Sequence, residues 1–242
     1  MTKFVWLICF FSIVFSGCKS ASILEEPQNT TTQKITLGSV GLNKKFILQK
    51  EFNGAAVPKY QQPIKLTAYV VPFTKGKYKS FLKAKALQSS PVSVNYIDSI
   101  AIKPQYLRFK IADKVALIGA LNGNENENIK RYLSSNSSSN LVTSLSVVFN
   151  KPDLKLIQEA TAVFLVENGL KNYALQLYKD GVKSDLIQFN KGVVIEYNTS
   201  SCCWQEDNRH HVNIVDLVEK YNNCPNKTYR ASNKAKKELK LF

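Results

Sequence analysis

The sequence predicts an α+β fold built around an antiparallel sheet. Short apolar runs separated by turn residues fill residues 35–111, runs with helical spacing follow, and residues 161–198 contain four consecutive strand-like runs. With 44% hydrophobic and 11% aromatic residues, the composition is that of a globular protein. We expect residues 35–242 to form a single domain, or two subdomains divided near residues 112–140.

The N-terminal half is predicted to contain mostly strands. Apolar runs bounded by Pro and Gly predict strands at residues 45–52, 64–71, 92–97 and 100–111. Residues 78–88 instead repeat apolar side chains at helical spacing, which predicts a short helix. These strands either extend the sheet of the C-terminal half or form a second small sheet.

The middle of the chain is predicted to be more helical. Asp113 is a suitable N-cap for a helix that ends at Leu121, and residues 125–134 predict a second helix. Residues 141–150 have the continuous apolar character of a buried strand. Pro152 then occupies the first turn of a further short helix.

The clearest structural signal is a four-stranded antiparallel meander, which we predict from four runs at residues 161–167, 172–178, 183–189 and 193–197. Asn168-Gly169 and Asp180-Gly181 separate the first three runs. Asn-Gly and Asp-Gly are typical of two-residue hairpin turns, which need positive φ at both central positions. We predict that residues 211–222 form an amphipathic helix that packs on this meander.

The N-terminus has the pattern of an export signal. Lys3 precedes an apolar run over residues 4–15, which is too short for a permanent membrane span. Ser16 and Gly17 then stand directly before Cys18. This segment resembles the lipobox of bacterial lipoproteins. The resemblance implies that residues 1–17 are a signal peptide, that the chain is cut after Gly17, and that Cys18 carries the lipid.

Residues 18–34 are predicted to be the lipidated cysteine and a flexible tether, because they are rich in Ser, Thr, Gln and Asn. By resemblance to the sorting rule of enteric bacteria, Lys19, which is not Asp, favours the outer membrane. The pattern leaves open whether the domain faces the periplasm or the cell surface.

The charge of the chain is strongly positive and is carried by lysine. The formal net charge is +15, and only four of the 33 basic residues are arginine: Arg108, Arg131, Arg209 and Arg230. Nucleic-acid binding is not expected, because specific recognition of bases and phosphates favours arginine, and the sequence contains no recognisable DNA- or RNA-binding motif. Five lysines lie close together in the sequence: Lys75, Lys77, Lys79, Lys83 and Lys85. They form either a basic surface that binds lipid headgroups or an acidic glycan, or simply a solvated face of the protein.

The C-terminal cysteines are candidates for one disulfide in an exported chain. We predict a bond from Cys202 or Cys203 to Cys224, which would close a loop of roughly twenty residues. A metal site that also uses His210 and His211 is the weaker alternative, because both pairs are sequence neighbours and metal ligands are usually spaced by two to four residues. We expect no metal and no cofactor.

No serine-nucleophile elbow, zinc-protease helix, phosphate-binding loop or dinucleotide fingerprint occurs in the sequence. The chain resembles the uncharacterised envelope lipoproteins of Gram-negative bacteria, in residues 1–18 and in its Lys/Asn/Ser-rich composition. We therefore expect a non-catalytic binding or assembly module, held on the membrane by lipid, with an envelope protein or acidic glycan as partner. The alternatives are a hydrolase of envelope glycan or peptidoglycan without a sequence motif, and an immunity or inhibitor-type lipoprotein with one protein partner.

Overall fold

A computed structural model describes residues 28–45, 50–169 and 172–238. The predicted signal peptide, Cys18 and most of the predicted tether lie outside the described residues. The described chain is 26% helix and 40% strand, which confirms the α+β class.

Eleven strands form one sheet in the described part of the chain. In chain order they are β1 (Asn29–Thr30), β2 (Val40–Lys45), β3 (Lys50–Ala56), β4 (Ile64–Pro72), β5 (Gln105–Ile111), β6 (Ser139–Val148), β7 (Ala162–Glu167), β8 (Tyr173–Lys179), β9 (Val182–Gln188), β10 (Val193–Glu206) and β11 (Val212–Glu219). The α-helices are α1 (Lys75–Gln88), α2 (Lys114–Asn122), α3 (Glu127–Ser135), α4 (Lys151–Glu159) and α5 (Ser232–Glu238).

The main path of the sheet is β1-β10-β6-β5-β4-β7-β8-β9, and the neighbours along it pair antiparallel. Strand β11 pairs with the far half of β10. Strand β2 pairs with β3 and with the beginning of β6. Leu141 of β6 has Ser200 of β10 on one side and Val40 of β2 on the other, so β2 continues the sheet where β5 has ended. The N-terminal strands therefore extend the C-terminal sheet.

Hydrophobic cores lie on both faces of the sheet. The larger core takes alternate residues of the central strands, such as Leu107, Phe109 and Val147, together with buried side chains from α2 to α5. The intervening residues Tyr106 and Val148 belong to a smaller core on the opposite face, which α1 covers. This alternation is the period-two pattern of a strand that is buried on both faces.

The predicted meander is correct for three of its four strands. Strands β7, β8 and β9 follow one another, and Asp180 and Gly181 both have positive φ in the tight turn that joins β8 to β9. The fourth run is the beginning of β10, which pairs with β6 and not with β9. The reason is the difference in burial between the two strands. Only Ile187 of β9 is buried, so β9 suits the edge of the sheet. Residues 193–197 are all buried, so they need a paired strand beside them and packed side chains on both faces.

The helix predicted at residues 211–222 is wrong, because this segment is strand β11. A β-bulge between Cys203 and Trp204 leaves Val215 as an extra residue, since Asp216 pairs with Cys203 and Ile214 with Trp204. The bulge places Ile214 and Leu217 on the same face at a spacing of three, which resembles helical periodicity. The C-terminal helix is α5, which buries Ala235 in the larger core.

A further strand prediction differs from the structure. Residues 92–97 are not a strand: they are irregular, and Val92 packs in the small core beside α1. The strand predicted at residues 45–52 is described only in part. Residues 46–49 lie outside the described residues, Lys45 belongs to β2 and residues 50–52 belong to β3. The end of the predicted tether also belongs to the sheet, because Asn29 and Thr30 pair with Tyr197 and Glu196 of β10.

Candidate functional site

Helix α1 carries all five lysines that the sequence singles out. The Thr74 side chain caps the helix by accepting a hydrogen bond from the Lys77 backbone N–H, and Ser89 ends it in the left-handed conformation. Phe81, Ala84 and Gln88 form its buried face. The helix therefore has one face fixed to the sheet and one face directed to solvent.

Gln88 attaches the end of α1 to strand β10. Its Nε2 donates to the Val194 carbonyl at 2.7 Å, and its Oε1 accepts from the Val194 N–H at 3.0 Å. The side chain thus satisfies both backbone groups of one residue of β10, as a neighbouring strand would. This buried pair of hydrogen bonds fixes the position of the helix on the sheet.

Lys77 attaches the beginning of α1 to the same strand. Its ammonium group pairs with the carboxylate of Glu196, whose side chain is completely buried. The second carboxylate oxygen, Oε2, is buried without a hydrogen-bond partner in the described structure. A buried carboxylate depends on its cation, because an uncompensated charge in the interior is costly. Lys77 therefore belongs to the structural side of the helix and not to an open basic surface.

The other lysines lie toward solvent. Lys75, Lys79 and Lys83 are exposed, and Lys85 is partly exposed. Their spacing of four residues places Lys75, Lys79 and Lys83 along one stripe of the helix. Leu82 and Leu87 are also exposed, one on each flank of this stripe, and Leu87 exposes 65% of its surface. The outer face of α1 is therefore both basic and apolar.

The irregular segment 90–104 lies alongside α1. Tyr96 stacks on Tyr78 of the helix with ring centroids 4.9 Å apart, and the Tyr78 hydroxyl donates to the Val94 carbonyl at 3.3 Å. Tyr96 also donates to Asp98 at 2.7 Å, and Lys103 lies over the Tyr96 ring. The hydrogen bond from Tyr96, with Lys75 and Lys103 nearby, lowers the pKa of Asp98.

This segment exposes three isoleucines, Ile97, Ile100 and Ile102, and Ile102 exposes 87% of its surface. Large exposed aliphatic side chains grouped on adjacent elements mark interaction surfaces more often than isolated ones do. We call the group the basic–apolar surface. It consists of Lys75, Lys79, Leu82, Lys83, Leu87, Ile97, Ile100, Ile102 and Lys103.

The sequence indicated Lys75, Lys79 and Lys83 of this surface, but not Lys103 or the isoleucines. The strands predicted at residues 92–97 and 100–111 would bury part of these side chains. The signal that could have found them is the Asp98-Ser99 turn between Ile97 and Ile100, followed by Pro104.

The cysteine cluster is a structural crosslink. Cys203 and Cys224 form a disulfide with Cα atoms 5.6 Å apart, so Cys203 is the partner that the sequence left undecided. Cys202 is a free thiol in the larger core, on the other side of β10, and burial raises its pKa to about 12. A thiol of that kind is not a nucleophile at neutral pH.

The two histidines lie in the exposed turn between β10 and β11. His210 Nδ1 is 3.3 Å from Glu206, and His211 Nδ1 is 3.8 Å from Asp207. The Asp207 carboxylate accepts hydrogen bonds from the backbone N–H groups of His211 and Arg209, which lower its pKa. These bonds shape the turn. Among the described residues, no three His, Cys, Asp or Glu side chains are grouped to hold a metal ion.

A cleft of about 500 Å³ lies between α2 and the segment before β4. Within the described chain, Glu125 is the one carboxylate in its lining, and it pairs with Lys59 at 2.8 Å. The buried Asn126 side chain bonds the backbone of Lys59 and Ala120, so it holds the wall of the cleft together. The cleft does not present two facing carboxylates.

The chain matches no protein family, and comparisons with curated proteins and with solved structures gave no match either. In the part of the chain that the structure describes, no helix combines the length and the apolar character needed to cross a bilayer.

The ion pair under α1 gives the first prediction. Replacing one partner of a fully buried pair costs roughly 3–5 kcal/mol, and Lys77 keeps part of its side chain in water, so we expect Lys77→Ala to lower the free energy of unfolding by about 2 kcal/mol. Lys79→Ala, on the exposed face of the same helix, should change it by less than about 0.5 kcal/mol. Urea unfolding followed by circular dichroism measures both. Equal losses in the two variants would contradict the structural role of Lys77.

The cysteines give the second prediction. Removing the disulfide with Cys224→Ser should lower the free energy of unfolding by about 3 kcal/mol, because the bond closes a loop of 21 residues. In the native protein iodoacetamide should leave Cys202 unmodified, and in urea it should modify that residue, as peptide mass spectrometry can show. Rapid labelling of Cys202 in the native protein would mean that the residue is not buried.

Proposed function

We propose that this chain is a non-catalytic binding module of the bacterial cell envelope, anchored by a lipid on Cys18, and that it binds an anionic partner through the basic–apolar surface. The observation that carries the proposal is the outer face of α1 with the segment beside it. Exposed lysines and large exposed aliphatic side chains occur together there, on a helix that Lys77 and Gln88 fix to the sheet and on the segment that packs beside it.

The charge distribution supports an anionic partner. No acidic residue occurs between Glu51 and Asp98, and seven lysines fall in that window. Asp98 itself is engaged by the Tyr96 hydroxyl, and the Lys103 ammonium group bonds its backbone carbonyl. Asp98 stays negatively charged because its pKa is lowered, but the four lysines of the surface, Lys75, Lys79, Lys83 and Lys103, outnumber it. The field of the surface is therefore net positive.

Hydrolysis receives less support from the geometry. The cleft beside α2 holds Glu125 paired with Lys59, and the carboxylate of Asp207 is occupied by the turn that it organises. General acid–base catalysis of glycoside hydrolysis needs two carboxyl groups across a bond, and Glu125 is the one carboxylate in the described lining of the cleft.

The lipid anchor gives the third prediction. Cells grown with an alkyne-labelled fatty acid should incorporate the label into the chain, and the protein should begin at Cys18. Cys18→Ala should abolish the label, whereas Cys202→Ala should retain it, because Cys202 is buried in the domain. A labelled Cys18→Ala protein, or a wild-type protein without label, would overturn the anchor.

The surface gives the fourth prediction. The purified chain should bind at least one of three anionic probes, namely phosphatidylglycerol vesicles, lipopolysaccharide or an acidic polysaccharide. Changing Lys75, Lys79 and Lys83 together to Glu should weaken that binding by at least about tenfold, because three attractive charges become repulsive. Surface plasmon resonance at two salt concentrations measures the effect.

The matched control reverses three exposed lysines elsewhere, Lys183, Lys220 and Lys234, so the net charge changes equally. This variant should keep most of the binding. If both variants lose binding equally, the effect is one of net charge, and the surface has no special role. If the wild-type chain binds none of the probes, the proposed anionic partner is wrong.

A further inference from the structure

The described chain begins beside α1. Asn29 and Thr30 pair with Tyr197 and Glu196 at the edge of β10, and the Thr31 N–H donates to the Ile195 carbonyl. The same stretch of β10 receives Lys77 and Gln88 from the helix, and Gln88 Nε2 also reaches the Gln33 carbonyl at 3.4 Å. Residues 29–33 therefore run next to α1 along the strand that holds it.

This placement limits how far the basic–apolar surface lies from a lipid on Cys18. Nine residues, 19–27, separate Cys18 from Gln28. Even a fully extended chain of that length spans only about 30 Å. The surface would thus be held within a short distance of the bilayer, where a tethered contact forms at a high effective concentration and needs little intrinsic affinity.

The chemistry of the surface suits a bilayer. Lysine is a flexible point charge that needs no fixed partner geometry, so a stripe of Lys75, Lys79 and Lys83 can match a fluid array of headgroups. Exposed Leu87 and Ile102 resemble the aliphatic side chains that enter the headgroup boundary when a basic amphipathic helix lies on a membrane. A folded anionic protein would instead favour a surface with fixed, paired polar contacts.

We propose that the basic–apolar surface rests on the membrane that holds the lipid anchor, and that its ligand is the anionic phospholipid headgroup of that bilayer. The proposal rests on the function proposed above, since the anchor brings the surface to the membrane. It adds an orientation: α1 and the 90–104 segment face the bilayer, and the β8–β9 hairpin does not.

The test places single tryptophans on the chain isolated from membranes of an expressing bacterium and reconstituted into vesicles. Leu87→Trp and Ile102→Trp report on the surface, and Val182→Trp, with 69% of Val182 exposed in the β8–β9 hairpin, is the matched control. Every variant carries Trp6→Phe, and Trp204 remains as a constant buried background with 1% exposure. The vesicles contain phosphatidylcholine alone or with phosphatidylglycerol, and brominated acyl chains quench any tryptophan that enters the bilayer.

In anionic vesicles we expect quenching at positions 87 and 102 to be at least about twofold stronger than at position 182. Adding Lys75→Glu, Lys79→Glu and Lys83→Glu should remove this difference, and neutral vesicles should reduce it. Quenching that is equal at all three positions, or that does not respond to the charge reversal, would overturn the membrane-facing orientation.

Vesicle flotation separates the two proposals. If the chain floats through its anchor but shows no preferential quenching, the orientation is wrong, and the surface remains available for an acidic glycan or a protein. If the chain does not float, both the lipid anchor and the orientation are wrong. Preferential quenching in the floating chain supports both.

Discussion

Strand β10 is the constraint on which the rest of the structure depends. It is the longest of the described strands, with 14 residues. It pairs with β6 along residues 193–200, with β1 at Glu196 and Tyr197, and with β11 along residues 200–206. It receives both ends of α1 through Glu196 and Val194, and it carries the disulfide through Cys203. A strand with so many partners has little freedom to shift its register, because every contact would have to move together.

The position of α1 follows from this strand. Lys77 and Gln88 are eleven residues apart and contact β10 at Glu196 and Val194, so the helix is fixed near both ends. Its remaining lysines need no structural partner and are directed to solvent. The lysines of this helix therefore have two different roles. Lys77 compensates the buried carboxylate of Glu196, and the exposed lysines give the outer face of the helix its positive charge.

Local patterns predicted the parts of the fold that local interactions determine. The Asp180-Gly181 turn, the cap at Asp113 and the helix after Pro152 are set by short-range backbone chemistry, and the sequence indicated each of them. The partner of β10 could not be predicted in this way, because pairing with β6 depends on burial across a separation of some fifty residues. The 211–222 segment was misassigned because a bulge in β11 imitates helical spacing.

The sequence predicted only part of the candidate site. The lysines of α1 can be recognised from their spacing, but the exposure of Ile97, Ile100 and Ile102 depends on which elements pack beside them.

The order of strands in the sheet has a consequence for the timing of folding. Strand β10, residues 193–206, lies between β1, near position 30, and β6, at residues 139–148, so this part of the sheet cannot form while β10 is still being synthesised. Contacts that are so distant in sequence also form slowly, because the chain between them must lose much of its conformational freedom first. A polypeptide with this arrangement remains without β10, the strand that holds both ends of α1, during most of its synthesis. If the chain is exported, as we propose, this delay would help it to pass through a narrow translocation channel before it becomes compact.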